Sequence, residues 1–180
     1  MKKKVIVFGA STSNKSINQQ FATYCGSFLK ETDVKILNLN DFKMPIFDVD
    51  DEAELGFPEK ANELSSLFDD ADGFIVSFAE HNGSYTAAFK NNYDWLSRIN
   101  KNVWRDRAVL LLSTSPGGRG GQTVLAAAKT TFPHMGAKIT GSFSLPSFYD
   151  NFEATSGLKN EEHLERVKDL LAKFEAAVNS

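Results

Sequence analysis

Cysteine is all but missing: Cys25 stands alone among 180 residues. No internal disulfide can form, and its place inside a helical pattern marks it as a small packed residue rather than a nucleophile. An excess of positive charge is missing too. Lys and Arg number 20 against 23 Asp and Glu, a net charge of −3, so no surplus cations exist to displace counterions from a polynucleotide. Long apolar runs are absent, and the opening Lys2, Lys3 and Lys4 lead into only a short one, Val5 to Phe8. That falls far below the roughly 18 residues of a membrane span and is short even for a signal sequence. A cytoplasmic protein with neither nucleic-acid nor membrane partners is expected. The histidines number three, and His134 and His163 have no cysteine or carboxylate at metal-ligand spacing, so no metal is expected. No repeat, linker or low-complexity tract divides the chain, and one domain over residues 1–180 is expected.

What is present is alternation. Short β-branched or aromatic runs, Lys4–Phe8, Val34–Leu39, Gly73–Phe78, Ala108–Leu112 and Lys138–Leu145, are separated by longer amphipathic stretches. Ile17, Phe21, Tyr24 and Phe28 recur at helical spacing, as do Ala61, Leu64 and Phe68 after Pro58, a proline suited to a first turn. Leu164, Val167, Leu171, Phe174 and Val178 share one face of a closing helix. Asp41–Phe57 reads as acidic and irregular. The third and fourth runs have almost no polar face, which places them centrally, covered on both sides. Five strands and about five helices in alternation predict an α/β, flavodoxin-like three-layer sandwich: a five-stranded parallel sheet in order 2-1-3-4-5 with helices on both faces. In that winding ligands sit beyond the carboxyl ends of the strands, where the order reverses between strands 1 and 3. Three loops fall there: Gly9–Asn18, Ala79–Tyr85 and Ser113–Gly121.

The first loop is rich in hydroxyls and runs straight into a helix. Ser11, Ser13 and Ser16 can donate to a phosphate, while the amides at the helix start, with Ile17 and Asn18 there, favour negative charge. Ser16 and Gln19 also match a capping box, so a well-capped helix without a ligand fits equally. Gly9 to Ser16 nearly spells a nucleoside-triphosphate loop, but Asn14 stands where the second glycine belongs, and its side chain would crowd the amide ring. The second loop carries Glu80, His81, Asn82, Gly83 and Ser84. The third carries Ser113, Thr114, Ser115, Pro116, Gly117 and Gly118, with Gly120 and Gly121 close behind. Glycines there let a backbone lie close to a flat ligand. Either loop alone would be an ordinary connector; three at one sheet crest point to a binding site.

These loops resemble those of the NADPH-dependent FMN reductase family, which includes quinone, chromate and azo reductases, and the resemblance spans nearly the whole chain. Its specific parts are Ser16-Ile17-Asn18, Asn82-Gly83-Ser84 with the Lys90–Ser97 helix, and Ser113-Thr114-Ser115-Pro116-Gly117-Gly118. The resemblance implies flavin mononucleotide (FMN) as cofactor, its phosphate in the first loop and its isoalloxazine ring between the other two. It further implies NADPH or NADH as transient electron donor and a small-molecule acceptor: a quinone, an azo compound, a metal oxyanion or free flavin. No catalytic side chain is implied, because the chemistry belongs to the cofactor, with amides near Gly117 and Gly118 stabilising charge on the reduced ring. A homodimer or homotetramer is implied as well. Two positions depart from the family: Ser13 replaces a frequent arginine, which lowers the expected phosphate affinity, and Ala79 and His81 stand where proline and tyrosine are frequent. His81 reads either as a hydrogen-bond donor to the ring or as a solvated loop residue. Phe89, Tyr93 and Trp95 read as core, with a subunit contact as alternative. Arg98, Arg105, Arg107 and Arg119 are the candidates for the donor's phosphates. A one-electron carrier or a flavin-binding regulatory protein is the alternative function, for which the acidic Asp48–Glu54 could serve docking.

Overall fold

The computed structural model describes residues 2–180. Five parallel strands, β1 (Lys3–Ala10), β2 (Thr32–Ile36), β3 (Gly73–Phe78), β4 (Ala108–Thr114) and β5 (Lys138–Leu145), form one sheet in the order β2-β1-β3-β4-β5. This is the expected flavodoxin-like winding. Val5 of β1 pairs with Val34 on one side and Gly73 on the other, and the registers run on so that Ala10 and Phe78 end together.

Period-two alternation sorts the strand side chains into two cores. Ile6, Phe8, Phe74, Val76, Phe78, Val109 and Leu111 face one side, under α3 (Glu59–Asp69), α4 (Ala87–Ile99) and α5 (Gln122–Thr131). Val5, Val7, Ile75, Leu110 and Leu112 face the other, under α1 (Ile17–Gly26) and α7 (Glu161–Asn179). Each core is a run of Val, Leu, Ile and Phe buried against helices, worth about 1.5–3 kcal/mol per large side chain. Cys25 is fully buried in the α1 core. Phe89, Tyr93 and Trp95 are buried, which settles them as core.

Several elements differ from expectation. β2 stops at Ile36 because Asn38 caps a 3₁₀ turn over Leu39–Phe42, its side chain accepting the Asn40 amide. The acidic segment contains a helix, α2 (Val49–Leu55), capped by Asp48 and with no buried residue. Pro58 sits at the N-cap of α3, one place before the first turn. A second 3₁₀ turn covers Phe132–Met135. After β5 come a short helix, α6 (Phe148–Asn151), and an antiparallel ribbon of β6 (Phe152–Glu153) and β7 (Gly157–Leu158). Among the described residues the α-helices thus number seven, against the about five expected.

Candidate functional site

The turn after β1 is shaped by Gln19. Its Oε1 accepts the Gly9 amide at 2.9 Å, while its own amide donates to Ser16 Oγ at 3.1 Å. The expected capping box is therefore half formed: the serine caps the helix, but the glutamine reaches back to the end of the strand. Gly9 is obligatory there, since a Cβ would overlap the Gln19 backbone. Ser11 Oγ accepts the Ser13 amide at 3.1 Å. Ser11 and Ser16 thus use oxygen lone pairs, and Ser13 uses none, so all three keep a hydroxyl hydrogen to donate. Among the described residues the Ile17 and Asn18 amides have no internal acceptor. Free amides at the positive end of a helix dipole form an anion seat.

The β3 loop closes as a tight hairpin. His81 and Ser84 exchange backbone bonds at 3.0 Å each, with Asn82 (φ 53°) and Gly83 (φ 75°) both left-handed between them. That is the Asn-Gly signature of a type I′ turn. Thr86 then caps α4 through Phe89 N and donates to Ala10 O at 2.9 Å, tying this loop to the end of β1. Glu80 Oε2 accepts the Val124 amide in the first turn of α5 at 2.9 Å. In the β4 loop, Gly117 and Gly118 have nothing packed over them, and their amides have no internal acceptor among the described residues.

These loops enclose a cavity of about 230 Å³ lined by Ser11, Ser13, Lys15, Ser16, Ile17, Asn18, Ala79, Glu80, His81, Thr114, Ser115, Pro116 and Tyr149. Of the sixteen residues expected at a cofactor, ten meet here: Ser11, Ser13, Ser16, Ile17, Asn18, Glu80, His81, Thr114, Ser115 and Pro116. Asn82, Gly83, Ser84, Gly117 and Gly118 lie on the exposed rim. Ser113 does not line the cavity: it is fully buried beneath the loop, its hydroxyl donating to Gly120 O at 2.8 Å. The sequence reading missed Lys15, which makes no ion pair among the described residues, and Tyr149, brought over the cavity by α6. Tyr149 belonged to no recognisable pattern, whereas Lys15 stood at the lysine position of the near-match to a nucleoside-triphosphate loop and was set aside with it.

The arginine candidates separate by position. The Arg105 side chain is buried and bonded to Asp69 and Ser65. Arg98 pairs with Glu52, and Arg107 precedes β4, at the far end of the sheet. Only Arg119 of the four is on the crest, donating to Thr123 Oγ1 at 2.7 Å.

Two larger cavities lie elsewhere: one of about 390 Å³ beside α1, lined by Tyr24, Phe152 and neutral polar groups, and one of about 380 Å³ between α7 and Phe28, Leu29 and Lys30, which follow α1. Volume favours them, but chemistry favours the crest, where the free amides, the serine hydroxyls and Lys15 converge. At 230 Å³ the crest cavity is smaller than the usual 300–1,000 Å³ of a whole-ligand site. Its polar lining suits an anionic group, and Gly117 and Gly118 are exposed at its rim.

Comparison with known proteins gives a consistent result. The profile of the NADPH-dependent FMN reductase family matches residues 3–150. An uncharacterised Mycoplasma pneumoniae protein is 27% identical over 158 residues, which cover 85% of this chain and 93% of that one. A quinone reductase of Escherichia coli is 35% identical over 78 residues, which cover 43% of this chain and 42% of the relative's length. Among solved structures, the flavoenzyme NAD(P)H:acceptor oxidoreductase FerB from Paracoccus denitrificans superposes with a TM-score of 0.78 at 20% identity, covering 99% of this chain and 98% of its own.

Proposed function

The chain belongs to the NADPH-dependent FMN reductase family, and from that premise we propose that its crest cavity holds FMN and passes electrons from NADPH or NADH to quinones or similar small acceptors. Azo compounds, metal oxyanions and free flavin are further acceptors of the same class. The observation that carries the reading is the convergence of three serine hydroxyls and the free first-turn amides of α1 on one cavity. That cavity also meets Glu80, His81 and Pro116 and opens onto bare glycines. We extend the assignment to residues 1–180 as one FMN-binding domain.

Ser11, Ser13 and Ser16 would each donate to a phosphate oxygen, with the Ile17 and Asn18 amides beside them. Lys15 supplies the positive charge that Ser13, in place of an arginine, does not. Gly117 and Gly118 leave the ring one open flank, and the Asn82-Gly83 turn forms the opposite lip. The free amides of Gly117 and Gly118 suit the electron-rich edge of the ring, where negative charge develops on reduction. FMN, when bound, supplies the acceptance and release of reducing equivalents. The protein holds the ring and leaves one face open to donor and acceptor in turn.

Self-association belongs to the same proposal. Ile46, Leu55 and Phe57 are exposed at 84%, 77% and 41%, and Leu55 and Phe57 border a hollow of about 180 Å³ that Trp95 also lines. A second copy of this chain would cover that apolar face, a point read by light scattering.

Absorbance of the purified protein with and without added FMN tests the cofactor. Each reduced nicotinamide, added with a quinone, then tests turnover. Protein that stays colourless in excess FMN ends the proposal. Flavin-loaded protein that oxidises neither NADPH nor NADH with a quinone present supports a carrier or regulatory role instead.

A further inference from the structure

The geometry points to Asn18 as the positioning residue that holds the phosphate turn and the ring loop at the separation a single FMN molecule spans. The inference rests on the FMN reading above. It gives the Asn18 side chain a role separate from that of its backbone amide in the phosphate turn.

Asn18 is the second residue of α1 and is 2% exposed. Its Oδ1 accepts the Ser77 hydroxyl at 2.7 Å and the Thr114 amide at 3.0 Å, and its Nδ2 donates to the Thr114 carbonyl at 3.0 Å. One side-chain amide thus engages both backbone groups of Thr114, as a neighbouring strand would. Thr114 ends β4, and Ser115, Pro116, Gly117 and Gly118 follow it directly. Asn18's own backbone lies in the first turn of α1, among the amides at the cavity. A single residue therefore places its backbone in the phosphate turn and its side chain on the stem of the ring loop.

The bonds are buried, so losing one partner leaves the other without water to replace it. They also account for Ser77, the one polar side chain in β3 and fully buried. Thr114 Oγ1 donates to Leu145 O at 2.8 Å and extends the clamp to the end of β5. The Asn18 oxygen already accepts two bonds, which leaves the cofactor little to gain from it.

A ligand that touches two subsites outbinds one that touches a single subsite only when the spacing of the subsites matches the ligand. Riboflavin is FMN without its phosphate. The preference for FMN over riboflavin therefore reads the register between turn and loop, whereas riboflavin affinity alone reads the ring loop.

Asn18→Ala and Ser77→Ala are titrated with FMN and with riboflavin by flavin fluorescence, alongside thermal melting. Asn18→Ala is expected to lower the FMN preference by about tenfold while the riboflavin Kd moves less than about threefold. Ser77→Ala, which removes one bond and leaves the Thr114 clamp in place, is expected to lower it by about two- to threefold. General loosening would weaken both ligands in parallel. An unchanged preference therefore overturns the positioning role, and Ser77→Ala alone decides should Asn18→Ala not fold. Wild-type protein that binds neither flavin overturns the FMN reading itself, a separate outcome.

Discussion

Glu80, on the loop after β3, accepts the amide of Val124 at 2.9 Å and so caps a helix 44 residues further along the chain. The helix has no cap of its own, because its N-cap Gly121 is left-handed and lacks a side chain. The bond joins two of the three crest loops, so part of the site's rigidity is helix capping supplied from a distance.

Replacing Glu80 separates charge from hydrogen bonding. Glu80→Gln keeps an acceptor for Val124 N and is expected to cost about 0.3–1 kcal/mol, the charge–dipole share. Glu80→Ala is expected to cost about 1–2 kcal/mol. Urea unfolding of the flavin-free protein measures both. Equal losses in the two variants would show that the cap contributes nothing beyond charge.

The three serines of the first loop are expected to behave differently. Ser16→Ala removes an N-cap and is expected to cost about 0.5–2 kcal/mol of stability together with FMN affinity. Ser13 makes no side-chain bond within the described protein, so Ser13→Ala is expected to leave the melting temperature alone. It should weaken FMN binding by about tenfold, the scale of a hydrogen bond to a charged group. Ser13→Arg is expected to tighten FMN. Fluorescence titration checks all three, and a Ser13→Ala protein with unaltered FMN affinity would remove that residue from the site.

The differing fates of these residues show what a sequence can reveal. β3 and β4 could be read because strands covered on both faces are apolar throughout, and the crest loops followed from the winding. The helix Val49–Leu55 could not, since it buries nothing and so has no apolar stripe. The ribbon of β6 and β7 is two residues per strand, too short for any period, and is set by Gly157 (φ 79°) lying against the Tyr24 ring. Within the site, residue type and spacing identified Ser11, Ser13 and Ser16. Whether a motif residue faces the cavity, as Ser115 does, or lies beneath it, as Ser113 does, depends on the loop path after β4. Tyr149 and the Glu80 cap arise from contacts between distant segments, which no local pattern encodes.

Stability is expected to fall at alkaline pH. Burial pushes the Cys25 thiol up from 9.0 and the Tyr93 phenol up from 10.0 to about 12, and raises Tyr85 as well. Each folded-state value lies above its unfolded one, so the folded chain favours the protonated form. That stability is complete below the unfolded values and is lost as pH rises, from about 9 for Cys25 and about 10 for Tyr93, at up to about 1.4 kcal/mol per pH unit for each, and Tyr85 adds to the decline in the same direction. Tyr93→Phe should flatten the part of the decline between pH 10 and about 12. Its hydroxyl and the Trp104 indole N–H are both buried without a partner in hydrogen-bonding geometry, although the indole pulls the phenol weakly the other way. Near pH 7, Tyr93→Phe is therefore expected to be neutral or stabilising by about 1 kcal/mol. Urea midpoints across pH 7–11.5 test both statements.

Cys25 combines full burial with a raised thiol, so the native protein is expected to resist alkylation at pH 7–8.5. Mass spectrometry after iodoacetamide treatment should find it unmodified without denaturant and modified once urea unfolds the chain. Rapid labelling of native protein would mean that α1 opens away from the sheet.

Arg119 is the one arginine of the four candidates that a donor bound at the crest can meet, and its contact is a neutral hydroxyl, Thr123 Oγ1, rather than a carboxylate. A guanidinium already engaged by Asp or Glu, as Arg98 and Arg105 are, would have to break that pair to accept a phosphate. Arg119 gives up only a neutral bond and can gain a bidentate one. Arg119→Ala is expected to raise the KM for NADPH by about three- to tenfold at low salt, with kcat within about twofold, and the effect should shrink as salt screens the rim. NADH lacks the extra phosphate and should be affected less. Arg107→Ala, at the opposite end of the sheet, serves as the control and should change neither constant. Equal effects on the two nucleotides would place Arg119 at the shared pyrophosphate, and no effect on either would show that the donor approaches from the β3 side of the crest.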